Sequence, residues 1–131
     1  MAERFLIDTS AVIKYLNETL PVNGLSLIDK IVDNESVISF ISEIELQGWN
    51  PSNQDDLKIY QLFVSNSIII GISNDIIQET IKIRKLFKLK LPDALIAATA
   101  LTNDLTLIAD NGKDFKHVSG LKYLNPNVVN A

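Results

Sequence analysis

Asp8, Glu45, Asp93 and Asp114 stand at places where an apolar run hands over to a helix-opening or polar segment. In an α/β chain such positions collect at one edge of the sheet, and acids that converge there usually hold a divalent cation. Two carboxylates about 5 Å apart repel by roughly 3 kcal/mol at an effective dielectric near 20, so three or four together protonate or splay unless a cation sits among them. The ligands have to be oxygen, because the chain has no cysteine and a single histidine, His117, which excludes thiolate or paired-histidine zinc chemistry. Mg²⁺ or Mn²⁺ suits an all-oxygen site completed by water; both bind phosphate oxygens, lower the pKa of bound water and stabilise an in-line displacement. The chemistry such a cluster implies is phosphodiester hydrolysis.

Each acid also has an ordinary structural role to outweigh. Asp8 can cap the helix that follows it, although Thr9 and Ser10 are available for that. Ser42 and Glu45 have the S-x-x-E spacing of a capping box, and taken alone that reading of Glu45 wins over a site role; Glu43, two residues earlier, faces a different side of the helix. Asp93 follows Pro92 in a first helical turn, where exposed N–H groups favour a carboxylate. Asp114 lies in the polar segment DNGKDF, where acids are most often simply solvated.

The elements that must position these residues follow from patterning. Arg4 to Ile7 reads as a short buried strand, followed by a helix carrying Ala11, Val12, Tyr15 and Leu16 on one side. A helix over 25–32 leads to the strand VISFI, 37–41; Ser42 caps a helix to about Trp49, and Asn50-Pro51-Ser52 breaks it before a helix over 53–64. SIIIGI, 67–72, is the third strand, and Ser73, Asn74 and Asp75 open a helix to about Phe87. ALIAATAL, 94–101, carries no charge on any face, which predicts a buried helix forming the spine of the domain. A strand over 105–109, a polar loop over 110–113 and a short strand near 122–124 complete the chain. Strands alternating with helices predict a mostly parallel sheet flanked by helices on both faces.

With 131 residues, nearly half of them apolar, residues 1–131 are expected to form one domain around one core. The net charge of −4 argues against a protein that coats nucleic acid by charge alone, though not against a nuclease whose metal supplies the positive charge. The apolar run after Met1 is too short for a signal sequence or a membrane span, so a cytoplasmic protein with no membrane association is expected. Five of the twelve basic residues, Lys82, Arg84, Lys85, Lys88 and Lys90, fall just before Asp93, and Lys113 and Lys116 flank Asp114. A solvated helix face accounts for the first group about as well as a strip that tracks a nucleic-acid backbone; the lysines at Asp114 tilt the balance to the strip. Trp49 and Phe115 have the rings to stack on bases, with packing the commoner use of both, and His117 reads as a surface residue.

LIDTSAVI (6–13), SFISEIELQG (39–48), LKLPDALIAATAL (89–101) and LIADNGKDF (107–115) together resemble the PIN-domain ribonucleases, and among them the VapC-type toxins of bacterial toxin–antitoxin pairs. The likeness runs in order over nearly the whole chain, and the segment around Asp93 is its most specific piece. It implies a PIN-like three-layer α/β sandwich and a metal-dependent endoribonuclease acting on RNA, commonly a homodimer, restrained by a smaller antitoxin protein that binds across the active site. By position it makes Asp8, Glu45 and Asp93 metal-binding acids and Asp114 the more variable fourth, selects Glu45 over Glu43, and gives Thr9 or Ser10 and Asn111 the role of orienting water. Relatives often read Thr-Arg-Asn or Thr-Asn-Asp where this chain has Ala109-Asp110-Asn111, so the threonine hydroxyl is missing and Asp110 and Asp114 both remain open as the fourth acid. The alternative is a catalytically silent PIN fold that binds nucleic acid or protein through the basic strip. A phosphotransferase with Asp8 as nucleophile is disfavoured, since Ser10 stands where such enzymes place a second aspartate.

Overall fold

Leu6, Val37 and Leu107 turn to one face of a parallel sheet and Ile7, Ile38 and Ile108 to the other, the period-2 alternation of strands buried on both sides. A computed structural model describes residues 3–110 and 112–129, with the side chains at 112 and 113 outside that description. Strand β1 (Phe5–Ile7) leads into α1 (Thr9–Leu16) and α2 (Val22–Asn34); β2 (Val37–Ser39) leads into α3 (Phe40–Gly48) and α4 (Gln54–Ser65). Then come β3 (Ile68–Ile70), α5 (Asn74–Leu86), α6 (Leu91–Thr102), β4 (Thr106–Ile108), α7 (Gly112–Phe115), β5 (Tyr123–Leu124) and a 3-10 turn over Pro126–Val128. The strands pair in parallel as β1-β4-β5 and β2-β3, with Leu6 opposite Leu107 and Ile38 opposite Ile69, and β2 runs beside β1 where the two ladders meet.

Helices α5 and α6 cover the first face through Ile76, Ile83, Ile96 and Ala97; α1, α2 and α4 cover the second through Val12, Ile28, Tyr60 and Val64. This is the three-layer α/β sandwich the pattern predicted. The charge-free helix is indeed the spine: Ala94 and every residue from Ile96 to Ala100 are buried. Its Thr99 hydroxyl is satisfied inside the helix by donating to the Leu95 carbonyl at 2.7 Å.

Several boundaries differ from the sequence expectation, the third strand among them, which spans Ile68–Ile70 where 67–72 was expected. The second strand ends at Ser39 rather than Ile41, because the Ser39 hydroxyl, accepting from the Ile41 N–H at 2.9 Å, caps α3 three residues before the expected cap at Ser42. The helix expected over 25–32 starts at Val22 and ends at Asn34. The segment around Asp114, expected to be a loop, is the short helix α7, anchored by the fully buried Phe115 ring against Tyr123.

Gly24 fixes how α2 meets the end of the chain: a Cβ there would stand 2.0 Å from the Pro126 carbonyl oxygen, whereas one at Gly48 would meet nothing within 4 Å. Overpacking costs about 1–3 kcal/mol and the better helix propensity of alanine returns roughly 1. Gly24→Ala is therefore expected to lower unfolding stability in urea by up to about 2 kcal/mol, and Gly48→Ala to raise it by a few tenths to about 1. Equal effects of the two substitutions in urea titrations would contradict the close contact.

Candidate active site

Asp8 is the pivot, because it directly follows the central strand β1 and precedes α1. Its N–H donates to the Ile108 carbonyl at 2.9 Å, continuing the β1–β4 ladder one residue beyond the strand, and its side chain is only 4% exposed. The carboxylate makes no cap bond to α1; its Oδ2 accepts from the Ser10 hydroxyl at 2.8 Å instead. Burial pushes the Asp8 carboxyl from its ordinary 3.8 up to about 6; the Ser10 hydroxyl and the Thr9 N–H oppose that rise, and the charges of Asp93 and Glu45 add to it. A capping aspartate would have shifted the other way.

Glu45 comes to the same rim from α3. With Ser39 as cap, Ser42 lies inside the helix, fully buried, and the capping box expected from Ser42 and Glu45 does not form. The Thr9 hydroxyl lies 2.6 Å from Glu45 Oε1 and 2.9 Å from Ser42 Oγ. Having one proton to give, it donates to the carboxylate and takes the Ser42 proton, so α1 and α3 are joined by a hydroxyl chain that aims Glu45 at the strand ends. Asp93, half-buried in the first turn of α6, is raised by burial first and then by the charges of Asp114 and Glu45, while Lys90 at the helix cap opposes the rise. Asp114, exposed on α7, therefore faces Asp93.

Asp110 is engaged elsewhere. Its carboxylate is 2.9 Å from Lys14 Nζ of α1 and accepts from the Asn127 amide in the closing turn. Tyr123 beside it donates its hydroxyl to the Ala109 carbonyl at 3.0 Å, and its pKa is raised by burial and by the charges of Asp110 and Asp8. Between the two candidates for the fourth acid, the geometry brings Asp114 to Asp93 and ties Asp110 to Lys14. Asn111, expected to orient water, lies outside the described residues, as does the Lys113 side chain.

Asp8 thus feels the charges of Asp93 and Glu45, and Asp93 those of Asp114 and Glu45, yet among the described residues no three acidic or histidine side chains stand close enough to form a ready-made metal cage. The donor set, oxygen only and with Lys90 as a cationic neighbour of Asp93, fits a hard divalent ion.

The basic residues before Asp93 are all exposed, but they do not share one surface. The Arg84 guanidinium donates to the Leu89 carbonyl at 2.8 Å and closes the turn between α5 and α6, and Lys82 lies 3.7 Å from Glu79. Lys82 and Lys85 line a shallow groove with Asp75 and Thr102, at the end of α6 about 14 Å from Asp93 by helical rise. Lys88 and Lys90 belong to the Asp93 end of that hairpin. Sequence reading missed Lys14, Ser42, Tyr123 and Asn127; only Ser42 left a signal, since Ser39, Ser42 and Glu45 recur every third residue along one face of α3.

Several solved structures share this fold. VapBC2 from Rickettsia felis bound to a promoter DNA fragment superposes with a TM-score of 0.78 at 23% identity, over 92% of this chain and 97% of that one. DNA-bound VapBC from Salmonella typhimurium gives 0.78 at 19% identity, over 95% and 99%. A toxin–antitoxin complex from Klebsiella pneumoniae gives 0.69 at 29% identity, over 93% and 97%. No curated protein matches the chain in sequence. The family model described as the PIN domain matches residues 5–121, which takes in every acid of the rim and both layers of helices, and the chain belongs to the PIN domain family.

Proposed function

We propose that this PIN domain is a Mg²⁺- or Mn²⁺-dependent endoribonuclease, the toxin of a toxin–antitoxin pair, working in the cytoplasm as a homodimer of single-domain chains. The observation that supports the reading is that acids from separate elements act on one another's charge beyond the ends of the parallel strands, Asp93 and Glu45 on Asp8, and Asp114 and Glu45 on Asp93. PIN domains are generally nucleases, and the similar structures from Rickettsia felis, Salmonella typhimurium and Klebsiella pneumoniae are toxin–antitoxin or VapBC assemblies, which supports an antitoxin partner here. Among the described residues no helix is long and apolar enough to cross a membrane.

In this reading Asp8, Glu45, Asp93 and Asp114 hold the ion. Bound there, it would supply a lowered pKa for water and a counter-charge for the phosphate. The chain's own residues do the positioning: Ser10 fixes one Asp8 oxygen, Thr9 holds Glu45 with the help of Ser42, and Asn111 joins Thr9 and Ser10 in orienting the attacking water. Lys88 and Lys90 stand nearest Asp93 to receive the RNA backbone, with Lys113 from the Asp114 side and Lys82, Arg84 and Lys85 further along α5. Asp110, paired with Lys14, keeps that lysine beside the rim.

RNA cleavage by the purified chain should require Mg²⁺ or Mn²⁺, stop with EDTA, and fall by at least about a hundredfold in Asp8→Asn and in Asp93→Asn. Undiminished, EDTA-sensitive cleavage by either variant would sink the assignment. RNA binding that persists in a chain with no cleavage under any metal would instead establish the silent module.

The raised pKa of Asp8 gives a second test in metal-free buffer. The native state holds the Asp8 proton to about pH 6 and the unfolded chain only to about 3.8, so the native state binds more protons between these values and stability falls as pH rises through that window. The full cost, about 3 kcal/mol at 1.36 kcal/mol per pH unit, is present above pH 6 and absent below 3.8. Asn at this position keeps both polar partners without the charge. Asp8→Asn is expected to melt higher than wild type at pH 7 and to match it near pH 4; a lower melting point at both pH values would show that Asp8 is an ordinary stabilising carboxylate.

A further inference from the structure

Trp49 is the one tryptophan in the chain, and it is not used by the core. It follows α3 directly, 47% exposed, with its ring stacked on Tyr60 of α4 at a centroid distance of 5.3 Å and an interplanar angle of 26°. Tyr60 is itself only 1% exposed and its hydroxyl is buried, so the indole rests on a floor that cannot move away and its remaining surface faces solvent. The adjoining Gly48 leaves open space beside it, since a Cβ there would meet nothing within 4 Å. Trp49 is also the residue that ends α3, four residues and about 6 Å of helix axis beyond Glu45, the acid that Thr9 aims at the rim.

We propose that Trp49 is a stacking platform for an unpaired base of the RNA substrate, one step away from the scissile phosphate. The inference rests on the ribonuclease reading. A flat ring held on a buried partner is already in its bound conformation, so stacking a base on it costs little ordering, and every base has a π-face to offer. The α3–α4 hairpin brings Glu43, Glu45, Asp55 and Asp56 against one lysine, Lys58, so attraction here comes from the ring and not from phosphate neutralisation. A base on this platform should therefore bind with a shallower salt dependence than contacts made at Lys88 and Lys90.

Because Trp49 is the sole tryptophan, its fluorescence reports directly on the platform. In the full-length Asp93→Asn chain, a short oligoadenylate is expected to quench it saturably and with weak salt dependence, while an abasic ribose-phosphate chain of equal length leaves it unchanged. In the otherwise wild-type chain, Trp49→Ala should raise KM for RNA about tenfold with little change in kcat, and Trp49→Phe should recover most of the loss. Equal quenching by the abasic chain, no quenching by oligoadenylate, or quenching only by a basic peptide at low salt would overturn the proposal; the last would assign the ring to a protein partner. Metal-dependent cleavage that is lost in Asp8→Asn but indifferent to Trp49→Ala would remove the platform and leave the ribonuclease standing.

Discussion

One charged group taken out of water at the end of a central strand governs the arrangement of everything around it. The Asp8 backbone is fixed by the bond from its N–H to the Ile108 carbonyl, which extends the ladder that holds β1 to β4. A buried carboxylate needs hydrogen-bond donors, and the start of α1 provides them in the Thr9 N–H and the Ser10 hydroxyl. All-parallel pairing then dictates the rest: with every strand running the same way, β2 and β4 deliver their following segments to the same edge, and α3 and α7 start where Asp8 ends. Helix α6 runs back through the core and so must present its first turn, with Asp93, at that edge too.

Polar side chains on neighbouring elements divide the acids into two groups. The Thr9–Ser42–Glu45 chain pulls one carboxylate toward Asp8, across a gap of more than thirty residues of sequence. The Lys14–Asp110–Asn127 cluster pairs another with a cation, tying α1, the end of β4 and the closing turn together. Without the second cluster a fifth charge would crowd the rim. Gly24 makes this possible, because the closing turn that carries Asn127 is seated by the close approach of α2 to Pro126.

Much of this was legible in the sequence, and the part that was not has a common cause. The apolar runs of the short strands and the uncharged run of α6 are local signals written on consecutive residues, and both came through as expected. The start of α3 did not, because Ser39 and Ser42 both satisfy the local chemistry of a cap; only the partner of Ser42, the Thr9 hydroxyl, decides, and it comes from a different helix. The choice between Asp110 and Asp114 was undecidable for the same reason, since the lysine that claims Asp110 lies 96 residues away. The basic run before Asp93 looked like one strip in sequence, yet helical geometry spreads it between the turn at Leu89, the groove near Thr102 and the cap of α6. Periodicity specifies layers well; it says little about which of two equivalent polar residues a distant element will select.

The burial pattern of the acids also bears on how a cation would be gripped. Asp8 alone is nearly inaccessible, held by backbone and hydroxyl donors, and burial is the main cause of its raised pKa; Asp93 is half-buried and is raised first by burial too, and Glu45 and Asp114 are exposed. A penalty of about 3 kcal/mol at one residue is a large share of the 5–15 kcal/mol that holds a domain together, so a fold that accepts it once has little room to accept it four times. Exposed carboxylates avoid that cost by staying hydrated, and they can swing inward as a cation replaces the water they lose. The proposed metal site thus combines one buried acid with three more exposed ones. That division accounts for why these side chains feel one another's charge while no three of the described ones stand at coordinating distance.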